Sequence, residues 1–438
     1  MKNLYYEGVE TFADTIVAPI TGAGRAAVAI LRLSGPRAWE IAGKVFSPWP
    51  EVVEPRHILY GHFINGDDGL VFPFEEGRSF TGEQVAELSV HGSAASVESL
   101  LKECLNAGAR MAEPGEFSLR AFLNGEIDLT EAEGIRETVD AATSAQLRQA
   151  NAFRNGKVRE EIESIRDQVV SLLTAVEAST DFSEEIGDLD RDTARAKLKS
   201  ALGHVDRLLS TADIGRRIRS GATVAIVGVP NAGKSSLLNA LLREDRAIVT
   251  AIPGTTRDTI EATVELGGLP VRFVDTAGIR ETQDEVERIG VDRSRQAIEA
   301  ADLVIHLIDL SHPEEMEIDH DQVLRVGNKA DLTPSVVFDG MCVSALTGEG
   351  LDALVAEIRA RLGDAQTAEI PILDRHASLL EEARGAIAET MQTLDAPVPD
   401  DLAAVSLRSA ARFLGEITGE TTPPEVIDRI FHDFCIGK

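Results

Sequence analysis

The chain has 438 residues, and its 73 acidic residues outnumber its 43 lysines and arginines, which gives a formal net charge of −30. This length is enough for about two to four domains with separate hydrophobic cores. The acid excess argues against a protein that holds nucleic acid by bulk charge, because phosphate neutralisation needs clustered lysine and arginine. Any nucleic-acid contact is therefore expected to be local or shared with a partner.

The hydropathy pattern predicts neither a membrane span nor a secretory leader. No apolar run approaches the ~18 residues that a spanning helix needs, and the N-terminal segment lacks a continuous apolar stretch after a basic region. The three cysteines, Cys104, Cys342 and Cys435, are far apart and form no C-x-x-C pair. We expect a cytoplasmic protein with no disulfide framework, no zinc site and no membrane partner.

The residue pattern of the first half of the chain changes near residue 124. Before it, short β-type runs at 27–33 and 85–90 alternate with Gly and Pro, which is typical of an α+β domain. Between Pro114 and Pro230 there is no proline, and apolar residues recur at helical spacing, which predicts amphipathic helices. The two clearest stripes are Ile162, Ile165, Val169, Leu172, Leu173, Val176 and Leu198, Leu202, Val205, Leu209.

The second half begins with short apolar runs that predict a mostly parallel sheet. These runs lie at 223–227, 271–274, 303–308 and 342–344. After about residue 363 helical spacing returns, in the stripes Leu407, Ala410, Ala411, Leu414 and Ile427, Ile430, Phe431, Phe434. We predict a discontinuous helical domain with an α/β domain inserted into it; the alternative is two unrelated helical domains. The predicted boundaries are 1–125, 126–219, 220–363 and 364–438.

The strongest motif is Gly228-Val-Pro-Asn-Ala-Gly-Lys-Ser235, which matches the phosphate-binding pattern G-x-x-x-x-G-K-[ST]. It follows a predicted strand and opens a predicted helix, so backbone N–H groups and the helix N-terminus can hold a phosphate. Lys234 is expected to reach the β- and γ-phosphates, and the Ser235 hydroxyl to bind Mg²⁺. The predicted contacts in this segment are Asn231, Ala232, Gly233, Lys234, Ser235 and Ser236.

Two further loops match the parts of a nucleotide switch. Asp275-Thr276-Ala277-Gly278 follows the predicted strand at 271–274, so Asp275 can hold a water on Mg²⁺ and the Gly278 N–H can sense a γ-phosphate. Upstream, Gly254-Thr-Thr-Arg-Asp258 supplies Thr256 as a second hydroxyl ligand for Mg²⁺.

The motif Asn328-Lys329-Ala-Asp331 indicates which base is bound. A carboxylate at Asp331 accepts hydrogen bonds from N1–H and N2–H₂ of guanine, whereas adenine would present a lone pair to it. Ser344-Ala345 is placed to contact the base through a backbone N–H. Together the four motifs predict a P-loop GTPase domain.

The motifs alone do not decide which residues orient the attacking water and which groups stabilise the transition-state charge. Ile279 follows Gly278, and an aliphatic side chain cannot orient the attacking water. The acidic candidates for that role are Glu281, Asp284, Glu285 and Glu287. The transition-state charge could be met by Arg257, Arg280 or Arg288, or by a monovalent cation held near Asn231 and the loop at 250–255.

These motifs, together with PGEFSLRAFLNGEIDL at 114–129 and the terminal Cys435-Ile-Gly-Lys438, resemble the MnmE (TrmE) family of tRNA-modification GTPases over nearly the whole chain. The resemblance implies an N-terminal α+β folate-binding-like domain that forms a homodimer, and a discontinuous helical domain that carries the inserted GTPase domain. It implies GTP as substrate, with Mg²⁺ and K⁺.

The resemblance also assigns roles to individual residues. It implies K⁺ at Asn231, Thr250, Ile252 and Thr255, and Mg²⁺ at Ser235 and Thr256. It selects Glu287 as the residue that orients water, with Lys234 and Asn231 as its catalytic partners, and gives K⁺ the charge-stabilising role of an arginine. The switch residues Thr250, Thr255, Thr256, Asp275, Thr276, Ala277 and Gly278 then join Asn328, Lys329, Asp331, Ser344 and Ala345 in the GTP site.

The implied biological reaction is modification of tRNA at C5 of the wobble uridine. The family works with the flavoprotein MnmG in a heterotetramer, adds an aminomethyl or carboxymethylaminomethyl group, and takes the carbon from a tetrahydrofolate. The 5-formyltetrahydrofolate or methylenetetrahydrofolate contacts would fall on Arg32, Glu87 and Lys438. A fourth family position, usually basic, is Glu126 here. Cys435 matches the family's terminal cysteine and is either reactive or a small apolar residue that ends a helix.

Several features of the sequence allow two interpretations. His91 could line the folate pocket or be a packed or capping residue. The basic run at Arg216, Arg217 and Arg219 could contact tRNA, or it could be a solvated linker face or pair with acidic helices. The stretches 69–79 and 310–326 are shorter than the family pattern, and the first is expected to lack a strand. The rival function is a ribosome-assembly type of GTPase switch that binds RNA without modifying it.

Overall fold

The computed structural model describes residues 13–181, 189–244, 261–275, 297–332, 337–363, 370, 372–396, 398–399 and 401–437. The chain divides into two compact units. The first contains the described residues of Met1–Arg136, Phe153–Leu202 and Leu379–Lys438, and the second those of Glu137–Ala152 and Gly203–Ser378.

The first unit contains a seven-stranded sheet. Its strands are β1 (Ile16–Pro19), β2 (Val28–Ser34), β3 (Phe46–Ser47), β4 (Leu59–Phe63), β5 (Asp68–Phe74), β6 (Val85–His91) and β7 (Arg110–Met111), in the order β3-β4-β5-β6-β2-β1-β7. All neighbours are antiparallel except β1 and β7. Helices α1 (Ala38–Val45) and α2 (Ala94–Asn106) contact this sheet.

Alternation along β2 decides which side chains enter the core. Leu31 and Leu33 are fully buried against the helices with Leu88 and Leu100, whereas Arg32 between them points to the opposite face of the sheet. Each such aliphatic side chain contributes about 1.5–3 kcal/mol when it is fully buried. The predicted α+β character of this segment is confirmed.

Further helices precede, separate and follow the strands along the chain. They are α3 (Glu116–Leu123), α4 (Leu129–Asp140), α5 (Ser144–Arg154), α6 (Lys157–Asp181), α7 (Arg191–Leu209), α8 (Ala212–Ser220), α9 (Lys234–Glu244), α10 (Leu351–Leu362), α11 (Asp374–Asp395), α12 (Asp401–Thr418) and α13 (Pro424–His432). None of the helices in the described part of the chain combines the length and apolarity that a bilayer crossing requires.

The predicted helical stripes are largely buried. On α6 the residues Ile162, Ile165 and Val176 are fully buried, and α6 packs along α12 within the first unit. On α7 the stripe is rotated slightly, because Leu208 is buried whereas Leu209 is only half-buried.

The second unit contains a six-stranded, mostly parallel sheet, as the sequence predicts. Its strands are β8 (Ala222–Val227), β9 (Glu261–Leu266), β10 (Leu269–Asp275), β11 (Leu303–Asp309), β12 (Val323–Asn328) and β13 (Met341–Cys342), in the order β13-β12-β11-β8-β10-β9. Only the β9–β10 hairpin is antiparallel. All seven residues of β11 are buried, which explains its continuous apolar run.

Two local expectations were wrong. The strand predicted at 342–344 ends at Cys342, because the Ser344 N–H bonds to Glu349 O in the following loop and leaves the sheet. The stretch 69–79 does contain a strand, since β5 pairs with both β4 and β6. Gly69 permits this close pairing, because a Cβ there would lie 2.0 Å from Ser89 O.

Candidate functional site

The phosphate loop connects β8 to α9 at the carboxyl edge of the parallel sheet. A Cβ on Gly228 would lie 2.3 Å from Leu307 O, so only glycine fits where the loop leaves the strand. Gly233 has φ +95°, and a Cβ there would lie 2.3 Å from Asn328 Nδ2. Asn231 also has a positive φ, of 66°. The predicted glycine pattern therefore reflects close contacts at both ends of the loop.

Lys234 begins α9 and folds back over the phosphate loop. Its Nζ donates hydrogen bonds to Gly228 O at 2.7 Å and Val229 O at 3.0 Å. Its side chain is buried, whereas Ser235 and Ser236 in the same turn are exposed. An ammonium group and exposed hydroxyls at a helix N-terminus form a site suited to an anion.

Asn328, at the end of β12, links the phosphate loop to the loop that follows β13. Its Nδ2 donates to Ala232 O at 2.9 Å, and its Oδ1 accepts from Ala345 N at 3.1 Å. The side chain is only 2% exposed. A buried amide with both ends paired holds the two loops at a set separation.

Asp331 lies at the start of the next turn and is held from one side. The Ser344 hydroxyl donates to its Oδ1 at 2.6 Å. Ser344 also accepts from Thr347 N at 3.2 Å, so the hydroxyl is oriented by its own loop. This hydrogen bond fixes the position of one oxygen of the Asp331 carboxylate.

Lys329 pairs with a residue that the motif analysis missed. Its Nζ lies 2.6 Å from Asp309 Oδ2, at the end of β11. Burial alone would raise the pKa of the Asp309 carboxyl, but hydrogen bonds from Lys329 and Ser311 outweigh it and hold the pKa below its usual range. The only sequence signal for this partner is an acidic residue at the end of a continuous apolar strand.

Several predicted site residues lie outside the described part of the chain. They are Thr250, Ile252, Thr255, Thr256, Thr276, Ala277, Gly278, Glu287 and Lys438. Asp275 is described as the last residue of β10 through its backbone only. Their roles stay predictions.

Arg32 and Glu87 form a second polar pair, on the first unit. They are register partners in β2 and β6, and Arg32 donates to Glu87 Oε1 from Nε at 2.9 Å and from Nη2 at 2.7 Å. The Arg32 guanidinium lies 4.7 Å from the ring centroid of Phe80 and 5.5 Å from that of Phe117. Pairing with a carboxylate and contact with two rings restrict the orientation of this cation.

Glu126 lies beside the loop that carries Phe80 and Gly82. It is exposed, and a Cβ added at Gly82 would meet its Cγ and Oε1 at 3.0 Å. The structure brings Arg32 and Glu87 together directly and places Glu126 beside the same loop. Glu126 therefore adds a negative charge at this edge of the unit.

The C-terminal segment is bound to the N-terminal sheet within the first unit. Pro114 and Ile436 form an antiparallel bridge, and Gly115 N donates to Cys435 O at 3.4 Å. Gly437 has φ +95°, and a Cβ there would lie 2.2 Å from Pro19 O. Cys435 itself is exposed and free.

His91 bonds to its neighbours in the manner of an ordinary structural residue. Its Nδ1 lies 2.6 Å from Asp67 Oδ1, and this hydrogen bond raises the pKa of His91. Asp67, Asp68 and His91 are close enough to form a metal-type cluster. However, two ligands of one zinc ion lie about 3.3 Å apart, so the shorter contact is a hydrogen bond.

The basic run at the start of the second unit is paired with acidic residues. Arg216 and Arg217 lie 3.1 Å and 3.3 Å from Asp302 Oδ1, and Arg219 lies 3.0 Å from Glu137. Of the two interpretations of this run, the structure supports pairing with acids.

Two family models and several relatives match this chain. A family model described as the N-terminus of the GTP-binding protein TrmE matches residues 15–126, and one described as the MnmE helical domain matches residues 129–435. The tRNA modification GTPase MnmE of Moorella thermoacetica is 43% identical, with 97% of this chain and 99% of the relative covered. That of Symbiobacterium thermophilum is 42% identical, with the same coverage, and that of Aquifex aeolicus is 40% identical, with 97% of this chain and 100% of the relative covered.

A solved structure, the G domain of the T. maritima FeoB iron transporter, is 26% identical and covers 32% of this chain and 99% of its own, at a TM-score of 0.26. A TM-score this low does not define a fold. The two matched family models and the relatives' identity over almost the whole chain do define the family: the chain belongs to the MnmE family of tRNA modification GTPases.

Proposed function

We propose that this protein hydrolyses GTP at the carboxyl edge of the second unit's sheet and uses the reaction in tRNA modification. The observation that supports the site is Asn328, whose buried amide joins Ala232 of the phosphate loop to Ala345 of the base loop. The two ends of one nucleotide would therefore be held by a single linked scaffold.

Mg²⁺ fits the residues at this site, because the exposed Ser235 hydroxyl lies in the first turn of α9 beside the buried Lys234. Ser235 and Thr256 would hold the ion, which supplies charge neutralisation at the phosphates. K⁺ would be held by Asn231, Thr250, Ile252 and Thr255, and Glu287 would orient the attacking water. Equal GTP turnover in KCl and NaCl, or normal turnover in Glu287→Ala, would contradict the K⁺ and Glu287 assignments respectively.

We further propose that the first unit binds a tetrahydrofolate. The restrained Arg32 cation, paired with Glu87 and next to two aromatic rings, supports an aromatic and anionic ligand. Arg32, Glu87 and Lys438 would contact 5-formyltetrahydrofolate or methylenetetrahydrofolate. Glu126 would weaken contact with a negatively charged glutamyl tail.

The remaining proposals concern oligomeric assembly, cellular location and domain boundaries. The protein would form a homodimer through its N-terminal domain, work in the cytoplasm and join MnmG in a heterotetramer that modifies C5 of the wobble uridine. The domains would span 1–125, 126–219, 220–363 and 364–438.

The substitution Asp331→Asn tests the GTP site, because it should change the base preference from guanine to xanthine. The Ser344 hydroxyl can still donate to the amide oxygen, so the introduced N–H₂ can donate to the 2-oxo group of xanthine. We expect kcat/KM for GTP to fall roughly a hundredfold or more, while activity on XTP appears. Undiminished GTP hydrolysis would contradict the assignment of Asp331.

The biological function is tested by nucleoside analysis of tRNA from a strain lacking the protein. We expect the modified wobble uridines to disappear and to return with the wild-type protein but not with Asp331→Asn. Unchanged wobble uridines in the deletion strain would favour the RNA-binding GTPase switch instead.

A further inference from the structure

Asp309 lies where β11 ends beside β12, next to the base-binding motif. In the parallel ladder it is the register partner of Asn328, and the N–H of the following residue, Leu310, donates to Asn328 O at 3.0 Å. The end of β11 is thus bonded to the residue that connects the phosphate and base loops. A carboxylate at this position can act on the nucleotide site without touching the phosphates.

The Asp309 carboxylate is itself held rigidly. Its side chain is buried, and its Oδ1 accepts hydrogen bonds from Ser311 N at 2.9 Å and Ser311 Oγ at 2.6 Å. Only Oδ2 then faces Lys329, whose Nζ lies 2.6 Å away. A lysine chain bound by a rigid, buried carboxylate loses most of its rotamer freedom.

The backbone of Lys329 directs this contact. Its φ is +64°, a left-handed conformation that is uncommon outside glycine, at the point where the chain turns from Asn328 toward Asp331. Strained residues of this kind persist where surrounding contacts over-determine them. Here those contacts are the Asp309 pair and the hydrogen bond between Ala330 N and Val343 O.

We propose that Asp309 is a positioning residue for the guanine nucleotide, and that it acts by holding the Lys329 side chain in place before the nucleotide binds. This inference rests on the proposed GTP site and extends it. Asp309 increases the affinity for the nucleotide, because the Lys329 side chain has already lost its conformational entropy before the nucleotide binds. It affects GDP and GTP equally, because it acts at the base end.

The test measures GDP and GTP binding with a fluorescent nucleotide, and turnover, for the full-length protein. We expect Asp309→Asn to weaken both affinities about tenfold, through faster dissociation, and to raise KM by more than it lowers kcat. Asp319→Asn, which removes an exposed acidic charge from the same connecting segment, is the matched control and should keep wild-type affinity.

A double-mutant cycle separates positioning from a general loss of structure. If Asp309 acts through Lys329, then Asp309→Asn has no further effect on affinity in a Lys329→Ala background. Fully additive effects, or wild-type affinity in Asp309→Asn, would overturn the proposal. Wild-type protein that binds neither nucleotide would instead contradict the GTP site itself.

A second variant covers the possibility that Asp309→Asn unfolds. Ser311→Ala leaves the ion pair between Asp309 and the half-buried Lys329 intact but removes one hydrogen bond that orients the carboxylate. We expect it to weaken GDP binding in the same direction by a smaller factor, at an unchanged melting temperature. Wild-type affinity in Ser311→Ala together with an unfolded Asp309→Asn would reduce Asp309 to a structural role and overturn the inference.

Discussion

The Arg120 guanidinium is fully buried in the first unit and lies among three carboxylates. Its Nη2 is 2.7 Å from Asp14 and 2.9 Å from Glu116, and its Nη1 is 3.0 Å from Glu83. Burial raises the pKa of the Glu83 carboxyl despite these contacts. Buried charges of this kind are tolerated only while their partners remain.

We therefore predict that Arg120→Met lowers the free energy of unfolding by about 3–5 kcal/mol, because it leaves the largely buried Glu83 carboxylate without the Arg120 cation, whereas Glu116 and Asp14 keep Arg110. Urea denaturation measures this change. Arg78→Met is the matched control, since Arg78 is exposed and pairs only loosely with Glu75, so its loss should change stability by less than about 0.5 kcal/mol. Equal effects of the two substitutions would contradict the importance of burial.

The three cysteines differ in reactivity because they differ in exposure. Cys104 is fully buried in the core, and burial raises the pKa of its thiol to about 12, whereas Cys342 and Cys435 are exposed. A thiol reagent is expected to modify two cysteines rapidly in the native protein and the third only after denaturation. Cys104→Ser should leave the rapid stoichiometry at two, and Cys435→Ser should reduce it to one. Rapid modification of three thiols in the native protein would contradict this burial.

At the scale of single elements, the start of α4 is a reciprocal helix cap. Glu131 N donates to Asp128 Oδ1 at 2.7 Å, and Asp128 N donates to Glu131 Oε2 at 2.8 Å. Asp128 Oδ2 is buried, no described residue donates a hydrogen bond to it, and Arg159 Nε lies 3.8 Å away. Burial, the largest cause, raises the pKa of Asp128 to about 6.

This shift gives an acidic residue an unusual pH dependence. Because the folded pKa, about 6, lies above the ordinary value of 3.8, the stabilising contribution of Asp128 is complete below pH 3.8 and is lost as the pH rises through 6. Asp128→Asn keeps the Oδ1 acceptor and does not titrate. Between acid and neutral pH, the free energy of unfolding of Asp128→Asn should therefore rise, relative to that of wild type, by on the order of 3 kcal/mol.

The measurement is chemical denaturation of both proteins at several pH values from 4 to 7. A stability difference that does not change with pH would contradict the raised pKa. Thr130→Val, which removes one donor to Asp128 but no titrating group, controls for loss of the cap hydrogen bonds.

Elements were predicted well where their period is long and their face is buried. The α6 stripe and the β11 run each agree with the structure, since burial of one face demands that period. Short elements were predicted less well. Strand β13 lies nearer to Met341 than predicted, because loop hydrogen bonds end it at Cys342. Strand β5 was not predicted, because its pairing depends on the close packing of Gly69. Such contacts are tertiary and leave little local pattern.

At the scale of the whole molecule, the net charge of −30 limits contact with RNA. Arg216 and Arg217 of the basic run share one carboxylate, that of Asp302, within their unit, so their positive charge is already partly neutralised. These two arginines therefore have less charge left to release counterions from tRNA.

We predict that the protein alone binds tRNA weakly at physiological salt and more tightly once the proposed flavoprotein partner is added. Fluorescence anisotropy with labelled tRNA, over a range of KCl concentrations, measures both affinities. The double variant Arg216→Ala and Arg217→Ala should leave the affinity of the protein alone unchanged. Tight binding without the partner would contradict the prediction, and a marked loss of affinity in that variant would show that the run contacts RNA.

Local sequence is enough to predict the nucleotide chemistry, because each motif is a short string whose residues lie within one loop at the end of a strand. Gly228, Lys234, Asn328 and Asp331 are examples. The partners that complete these loops are visible only in the folded chain. Asn328 bonds Ala232, 96 residues away, and Lys329 bonds Asp309, 20 residues away. Such pairs depend on which strands the sheet makes neighbours, and strand order is not written in any local spacing.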